Sequence, residues 1–524
     1  MPEQDIWTPL RRSTFRALWI ASVVSNVGTW VHDTAAGWTM TILAPSPMLV
    51  SMMQTATTLP FFILALPSGT LADIVDRRRL LVVTQTWMLV AAATLGLLAF
   101  SGALTPFRLL GCTFALGIGA AMGAPAWQAM TPDLVPRAEL QAAVALGGIS
   151  VNVARAVGPA LGGFIVGATS PAIAFLLNAT SFVGVLFVVA RWRPQKQKAT
   201  LPPERVLGAM RAGIRFVRHS PPFHAVLVRC AAFVLPASAV WALLPLVARQ
   251  SLGLDATGYG IVLGGLGAGA ITGALALPRL TLRVPLERLL LAATLLFAIM
   301  SGGLGVVRQV PIALVLTFMG GVAWMTTMSS ITVAAQESVP AWVRARALAV
   351  SLLVLQGSLA LGALLWGVVA THTSVSTALL TAAGTFIAGL LVATRVRLRP
   401  RESLDLTPSP HWGEPVVTAS LDPDDGPVLV TIEYRLDPER AGEFVAVMHE
   451  MEIVRRRDGA IEWGVYQDIA DPRRWLETFV VESWLEHLRQ HQRITVSDRA
   501  MQARVYELLD GEPTISHLIT RDGE

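Results

Sequence analysis

The stretch Gly69-Thr-Leu-Ala-Asp-Ile-Val-Asp-Arg-Arg-Arg79 stands where one long apolar run ends and the next begins. The runs on either side, 47–72 and 80–101, are each long enough for a membrane-spanning helix, which needs about 20 residues. Charged residues between such runs are expected at the membrane surface, where their side chains stay hydrated. The stretch is therefore predicted to be a loop between two membrane-spanning helices.

Similar apolar runs recur along the chain. Residues are 53% hydrophobic and 15% charged, whereas soluble domains average about 25% charged residues. The first run is too long for a cleaved signal peptide and is expected to stay in the protein. The sequence thus predicts an all-α membrane protein with twelve transmembrane helices, near 17–43, 47–72, 80–101, 106–130, 140–168, 171–190, 223–248, 257–278, 286–306, 310–334, 347–370 and 374–394.

The two sets of six runs form an internal repeat at a constant offset of 204 residues. Asp133 maps to Glu337 at this offset, and four separated anchors recur without a gap. Parallel halves of this kind occur in one large class of transporters. The anchors are Gly69, Leu71 and Ala72 with Gly273, Leu275 and Ala276; Thr113, Phe114 and Gly117 with Thr317, Phe318 and Gly321; Val135-Pro136 with Val339-Pro340; and Asp133 with Glu337.

The opening stretch resembles the signature G-x-L-a-D-r-x-G-R-r of the major facilitator superfamily. Gly69, Asp73 and Arg77 match it, whereas Ile74 replaces a basic residue and Asp76 a glycine. A second resemblance lies in Arg155-Ala-Val-Gly-Pro-Ala-Leu-Gly-Gly163, which is similar to the family's antiporter motif and includes Gly158, Pro159, Gly162 and Gly163. Tight helix packing alone would also explain its glycines. The fourth-span arginine of many proton-driven drug exporters is absent, since Thr113 stands there.

Two further stretches, 135–140 and 339–348, together with the C-terminal tail, are similar to the bacterial branch that holds enterobactin exporters and transmembrane secretion effectors. This resemblance implies secondary active export of small hydrophobic or amphiphilic compounds, including drugs and siderophores. No G-x-x-x-x-G-K-[ST] loop occurs, so an ion gradient or the substrate's own gradient is the expected energy source. The expected partners are a small-molecule substrate, the lipid bilayer and protons, with no cofactor, metal or nucleic acid.

Arginine and lysine mark the orientation. The segments on the side of the N-terminus hold 24 Lys and Arg, and the opposite loops hold three, namely Arg108, Arg249 and Arg308. Because positive loops stay in the cytoplasm, both termini and the segment between the halves are expected there, in the bacterial inner membrane.

Charges within spans point to a pathway, because each is costly at the bilayer centre. Asp33, Arg155 and Arg229 lie within spans, and Arg229 is close enough to a helix end to snorkel. Asp33, with His32 beside it, is predicted to face a transport cavity; the alternative is a buried pair with Arg155 that holds two helices together. Further cavity candidates are Asn26, Trp30, Gln54, Gln128, Asn152, Trp241, Trp324 and Gln356, each of which could equally serve packing or interfacial anchoring.

The predicted domains are 1–192, a six-helix half; 193–222, a loop with an amphipathic helix whose arginines meet anionic lipid; 223–398, the second half; 399–427, a Pro-rich linker; and 428–524, a soluble tail. Residues 401–524 carry 25 acidic and 13 basic residues, so attraction to the cationic loops is expected. The tail's βαββαβ pattern predicts a ferredoxin-like sandwich, with one helical stretch over 484–510.

The tail resembles small cofactor-free monooxygenase-like domains that often pair as dimers, which implies self-association. Its His487 and His491 have a spacing that suits a metal, but no third ligand is apparent in the sequence, and a solvated helix face is the commoner explanation. Two function classes follow: a transporter with a regulatory tail, or a membrane-anchored enzyme acting on a lipophilic substrate. Twelve spans exceed what an anchor needs, which favours a transporter with no catalytic residues. An importer of a small solute is the remaining alternative.

Overall fold

The computed structural model describes residues 6–192, 206–340, 342–396, 398, 405–407, 409, 422 and 424–520. The chain divides into two compact units. The first comprises Met1–Thr200, Val228–Thr332 and Leu352–Arg397, and the second comprises Leu201–Leu227, Val333–Ser351 and Leu398–Glu524. Predictions that fall on 193–205 and on most of 399–421 lie outside the described residues.

Thirteen α-helices precede the tail in the described part of the chain. Local signals begin several of them: the Asp76 carboxylate accepts a hydrogen bond from the Arg79 N–H, and Asp255 does the same for Gly258. They are α1 (Ser13–Leu43), α2 (Pro47–Ile74), α3 (Arg77–Phe100), α4 (Pro106–Leu134), α5 (Leu140–Ala168), α6 (Pro171–Arg191), α7 (Val206–Arg218), α8 (Pro221–Leu246), α9 (Ala256–Thr281), α10 (Leu286–Val306), α11 (Val310–Glu337), α12 (Arg344–His372) and α13 (Val375–Arg395).

Ten helices in the described residues are long and apolar enough to cross a membrane. Two of the twelve predicted spans are not among them. The apolar part of α13 ends at Leu391 and is too short, and α1 holds the polar stretch from Asn26 to Trp38. A count of twelve spans therefore stays a prediction.

The helices of the first unit pack in the same way twice. Helix α1 packs on α5, where Asn26 Nδ2 donates to Ser150 Oγ at 3.0 Å, and α3 packs on α6. The equivalent pairs of the second half are α8 with α12, joined by a hydrogen bond from Trp366 Nε1 to the Leu235 carbonyl at 2.9 Å, and α10 with α13. The packing thus follows the sequence repeat.

Helix α5 crosses α9 so closely that glycine is required. A methyl group added to Gly163 would lie 2.8 Å from the Cα of Gly260, closer than backbone and side chain tolerate. On another face of α5, Gly158 meets the Cβ of Trp30 on α1. The predicted motif therefore brings α5 into close contact with one helix from each half.

The second unit contains a four-stranded antiparallel sheet with strand order β2-β3-β1-β4. Its elements are β1 (Val428–Arg435), α14 (Ala441–Asp458), β2 (Glu462–Gln467), β3 (Arg474–Val481), α15 (Trp484–Arg493), α16 (Val496–Tyr506) and β4 (Thr514–Ile519). The predicted helix over 484–510 is two helices. Thr495 interrupts it because its side chain caps α16 in a reciprocal pair with Asp498.

Helix α7 and the segment 333–351 belong to the same unit as the tail. Arg215 of α7 pairs with Glu486 of α15, and Arg211 pairs with Glu482 at 3.1 Å. The Phe216 ring, 1% exposed, meets the edge of the Trp342 indole. Arg211 and Arg215 thus have tail carboxylates as partners. That the arginines of α7 meet anionic lipid stays a prediction.

Candidate functional site

A cavity of about 310 Å³ lies at the centre of the first unit. Helices from both halves line it, namely α1, α2, α4 and α5 from one half and α8, α9, α11 and α12 from the other. Its volume is at the lower end for small-molecule sites. The polar and aromatic lining residues are Trp30, Asp33, Thr34, Gln54, Thr57, Thr113, Arg155, Trp241, Tyr259, Trp324 and Gln356.

Asp33 is the acid of this cavity. Its side chain is exposed, although the neighbouring residues Thr34 to Thr41 of α1 are all buried. The carboxylate thus emerges from a packed helix into the open volume. An acid at such a place can bind a cation, a substrate amine or a proton.

Arg155 is the cation of the cavity. Its guanidinium lies over the Trp30 ring, 5.9 Å from the centroid. Among the described residues, no ion pair joins Asp33 to Arg155, although both line the same volume. The two opposite charges are therefore both available to a polar ligand.

The structure places the other predicted cavity residues in two groups. Trp30, Gln54, Trp241, Trp324 and Gln356 line the cavity. Three others do not: Asn26 is the tie to Ser150 between α1 and α5, Asn152 donates to the Gly148 carbonyl of its own helix, and Gln128 is exposed elsewhere on α4.

His32, predicted to act with Asp33, points away from the cavity. It is 1% exposed, and its ring packs 4.9 Å from that of Phe175 on α6. Neither ring nitrogen has a hydrogen-bond partner in the structure. Successive helix residues are about 100° apart, so His32 and Asp33 face different neighbours.

The signature residues lie apart from the cavity. Arg77, at the start of α3, forms an ion pair with Asp133 at the end of α4 at 3.1 Å. Gly69 has open space beside it, and the side chain of Asp73 lies outside the described part of the structure. The Arg77–Asp133 pair therefore ties two helix ends at the arginine-rich side of the unit.

Four of the polar and aromatic lining residues were not predicted as cavity residues, namely Thr34, Thr57, Thr113 and Tyr259. Tyr259 of α9 stacks on Trp38 of α1 with ring centroids 5.9 Å apart. A signal for it exists in the sequence, because Tyr259 is one of four tyrosines and the other three lie in the tail. Thr113 also reaches the cavity, at the position where related exporters were expected to carry arginine.

The sequence suggested that the histidines of the tail lie on a solvated helix face. The structure shows otherwise. His487 is 1% exposed, and its Nε2 lies 3.4 Å from that of His491. His517 of β4 adjoins them, with its ring 4.7 Å from that of His487. Even so, the described residues contain no group of three His, Cys, Asp or Glu arranged to hold a metal. Packing of the histidine rings with buried apolar and aromatic neighbours explains this cluster better than a solvated helix face does.

Two packed half-repeats around one central cavity define the major facilitator class of membrane transporters. Within it, the chain belongs to the transmembrane secretion effector family, whose profile matches residues 4–523. This is a family of transporters rather than of enzymes.

Curated relatives carry names of exporters and siderophore transporters. The staphyloferrin A transporter of Staphylococcus aureus is 26% identical over 35% of this chain and 46% of its own length. The multidrug efflux pump Tap of Mycobacterium tuberculosis is 26% identical over 38% of this chain and 49% of its own length. The enterobactin exporter EntS of Escherichia coli is 28% identical over 40% and 50%. The chain thus matches about half the length of each relative.

Solved structures agree on the fold. A bacterial homologue of the human lysosomal transporter Spinster, inward-facing and occupied, has a TM-score of 0.59 at 14% identity, over 74% of this chain and 98% of that one. A POT family transporter in complex with 5-aminolevulinic acid has a TM-score of 0.60 at 12% identity, over 72% and 95%.

Proposed function

We propose that the chain is a secondary active exporter of small hydrophobic or amphiphilic compounds, of drug or siderophore type. The observation that carries this proposal is the central cavity, where Asp33 and Arg155 stand among three tryptophans and both halves contribute walls. Aromatic walls suit the apolar part of a substrate, and the two separate charges suit polar groups at the ends of that substrate. The direction, outward, rests on the exporters named among the relatives.

The transport step is alternating access. The two halves rock about the cavity, so that it opens to one side of the membrane and then to the other. The close crossing of α5 and α9 supports this, because a glycine-lined contact lets one half move against the other with little steric hindrance. Asp33 takes up a proton or a substrate cation in one state and gives it up in the other.

Inverted membrane vesicles from cells that produce the full chain test the proposal. A panel of siderophores and common drugs should show accumulation of at least one compound, and a protonophore should remove it. Vesicles with the chain carrying Asp33→Asn are the control. Accumulation only in right-side-out vesicles would instead support the importer alternative.

The orientation follows from the same proposal. Both termini and the segment between the halves lie in the cytoplasm of a bacterial cell, and the inner membrane holds the spans. A single cysteine placed within 195–200, in a chain with Ser at Cys112 and Cys230, should resist an impermeant thiol reagent in intact cells. Labelling without lysis would contradict this orientation.

The tail serves as a regulatory or assembly module of ferredoxin-like type. The strand order and the alternation of strands and helices support this assignment, and the resemblance to monooxygenase-like domains adds self-association as a prediction. A chain that ends near Arg401 should insert and transport at an altered rate. An inactive, well-inserted truncation whose separate tail converts a substrate would favour the anchored-enzyme alternative.

A further inference from the structure

A second cavity, of about 300 Å³, lies within the second half of the first unit. Four helices line it: α8, α10, α11 and α13. It is reached near the starts of α8 and α10 and the ends of α11 and α13. These helix ends join the arginine-rich segments, so the cavity is on the predicted cytoplasmic side.

The cavity opens sideways. Val228 and Leu291 line it and are 40% and 45% exposed, as is typical of side chains that face lipid in a membrane-spanning helix. Its inner wall is fully packed, with Phe233 and Leu290 each 4% exposed. An apolar chain entering from the bilayer would therefore exchange lipid contacts for a closely fitting protein wall.

Among the described residues that line the mouth, positive charges outnumber negative charges by one. Arg229 is paired with Glu287 at 2.6 Å and also donates from Nε to the Val396 carbonyl at 2.8 Å, so it does not snorkel outward. These two charges neutralise each other. Arg288 is exposed beside them, and it has no ion-pair partner among the residues that the structure describes.

A buried hydroxyl also lines the cavity. Thr327 lines the cavity and is 1% exposed, and its Oγ1 has no hydrogen-bond partner in the structure. A buried hydroxyl without a partner is costly, and an acceptor from a ligand would satisfy it. The cavity is thus lined by a cation, a hydroxyl donor and apolar side chains.

We propose that this lateral cavity binds one anionic phospholipid of the cytoplasmic leaflet. Its phosphate lies at Arg288, an ester carbonyl accepts a hydrogen bond from Thr327, and an acyl chain lies along Phe233. The charge complementarity selects an anionic over a zwitterionic lipid, since basic pockets between membrane helices on the cytoplasmic side attract anionic headgroups. This site is separate from the central cavity and needs no particular transport substrate.

The full chain in detergent, stripped of lipid and titrated with phosphatidylglycerol or phosphatidylcholine under native mass spectrometry, tests the proposal. We expect one phosphatidylglycerol per chain and weaker binding of phosphatidylcholine. Arg288→Gln should weaken phosphatidylglycerol binding about fivefold, the factor that corresponds to about 1 kcal/mol for one basic residue near an anionic surface. Thr327→Val, which keeps the shape of the side chain, should weaken the binding of both lipids.

The matched control is Arg283→Gln, which removes an exposed arginine near the same helix end that does not line the cavity. It should bind like the unaltered chain. Equal affinity for the two lipids, or an equal effect of Arg288→Gln and Arg283→Gln, would overturn the proposal. Retained thermal unfolding temperatures establish that each variant is folded.

Discussion

The guanidinium of Arg155 on α5 lies over the indole ring of Trp30 on α1, with the Cζ atom 5.9 Å from the ring centroid. Such a contact is worth about 0.5–1 kcal/mol at exposed sites and about 2 kcal/mol where water is excluded. Because the ring holds the cation at the cavity wall, Arg155 shares the cavity with Asp33, and the described residues show no direct pairing of the two. The cavity can therefore bind both an anionic and a cationic group.

Asp33→Asn should abolish gradient-driven transport, with substrate flux at least tenfold lower, and leave the protein folded in the membrane. The substitution keeps the size of the side chain and removes the ionisable carboxyl group from the cavity lining. The assay is substrate flux in inverted vesicles.

The control is Asn152→Ala, which removes a polar group of α5 that bonds only to its own helix backbone. It should transport normally, as should His487→Ala in the tail. Unchanged flux in Asp33→Asn would leave Asp33 with a structural role.

Gly163→Ala should lower the thermal unfolding temperature by several degrees and slow transport. Its new methyl group would lie 2.8 Å from the Gly260 Cα, so the backbones of α5 and α9 must move apart. Gly147→Ala, in the same helix with open space around it, is the control and should raise or keep stability. Tryptophan fluorescence during heating in detergent measures both, and equal shifts for the two variants would contradict the steric argument.

Glu486→Gln should release α7 from the second unit. Its carboxylate lies between Arg215 and Arg493, the latter at 2.6 Å, and Arg493 in turn covers the Trp342 ring at 4.5 Å. Removing the acid from between two largely buried cations should cost about 3–5 kcal/mol. Hydrogen exchange of peptides from 206–218 measures the release.

The exposed pair of Arg211 with Glu482 provides the comparison, with side chains that are 69% and 56% exposed. Glu482→Gln should cost no more than about 1 kcal/mol, because water and salt screen such pairs. High salt should likewise weaken only this outer contact. If hydrogen exchange in α7 is equally slow in both variants, packing of Phe216 rather than charge holds α7 in place.

The stability of the tail should fall as the pH drops from about 6.5 toward 4. Burial, and then the charge of neighbouring imidazoles, lowers the pKa of His487 to about 3 and that of His491 to about 4. Because the unfolded chain, with an imidazole pKa of about 6.5, then binds more protons than the folded tail, stability is full above pH 6.5 and declines below it.

Hydrogen exchange of peptides from 428–519 in the full chain, corrected for the intrinsic effect of pH, measures this decline. His491→Gln should reduce the decline, whereas His449→Gln, at an exposed position of α14, should not. Identical profiles for the two variants would show that carboxylates rather than histidines set the acid sensitivity.

Periodicity and charge predicted the repeated helices and most of the cavity. The Asp33, Trp30 and Arg155 positions were recognisable because charge and polar aromatic residues inside an apolar run are costly unless a cavity receives them. The sequence did not show how each helix is rotated about its own axis, and therefore which neighbour each side chain faces. His32 is one residue from Asp33 and faces α6, and Asn26 lies two turns away on nearly the same face and meets Ser150 instead.

The sequence also did not predict which segments of the chain form the second unit. The net charges of the tail and of the cationic loops predicted attraction but not which residues meet. The contacts of Phe216 with Trp342 and of Arg215 with Glu486 join residues more than 100 positions apart, and no local pattern encodes them. Likewise, Thr495 breaks the predicted long helix through a side-chain cap that periodicity does not reveal.

Three separate stretches of the chain form the second unit, and the ribosome makes them at different times. Helix α7 ends at Arg218 and β1 begins at Val428, which is 210 residues later. At about 5–20 residues per second, a ribosome needs roughly 10–40 s to make that interval. During this time Arg215 lacks Glu486 and Phe216 lacks the strands that complete its unit. The last strand therefore completes the unit only when all preceding helices have been made, so a chain cut short in synthesis would expose α7 to proteolysis.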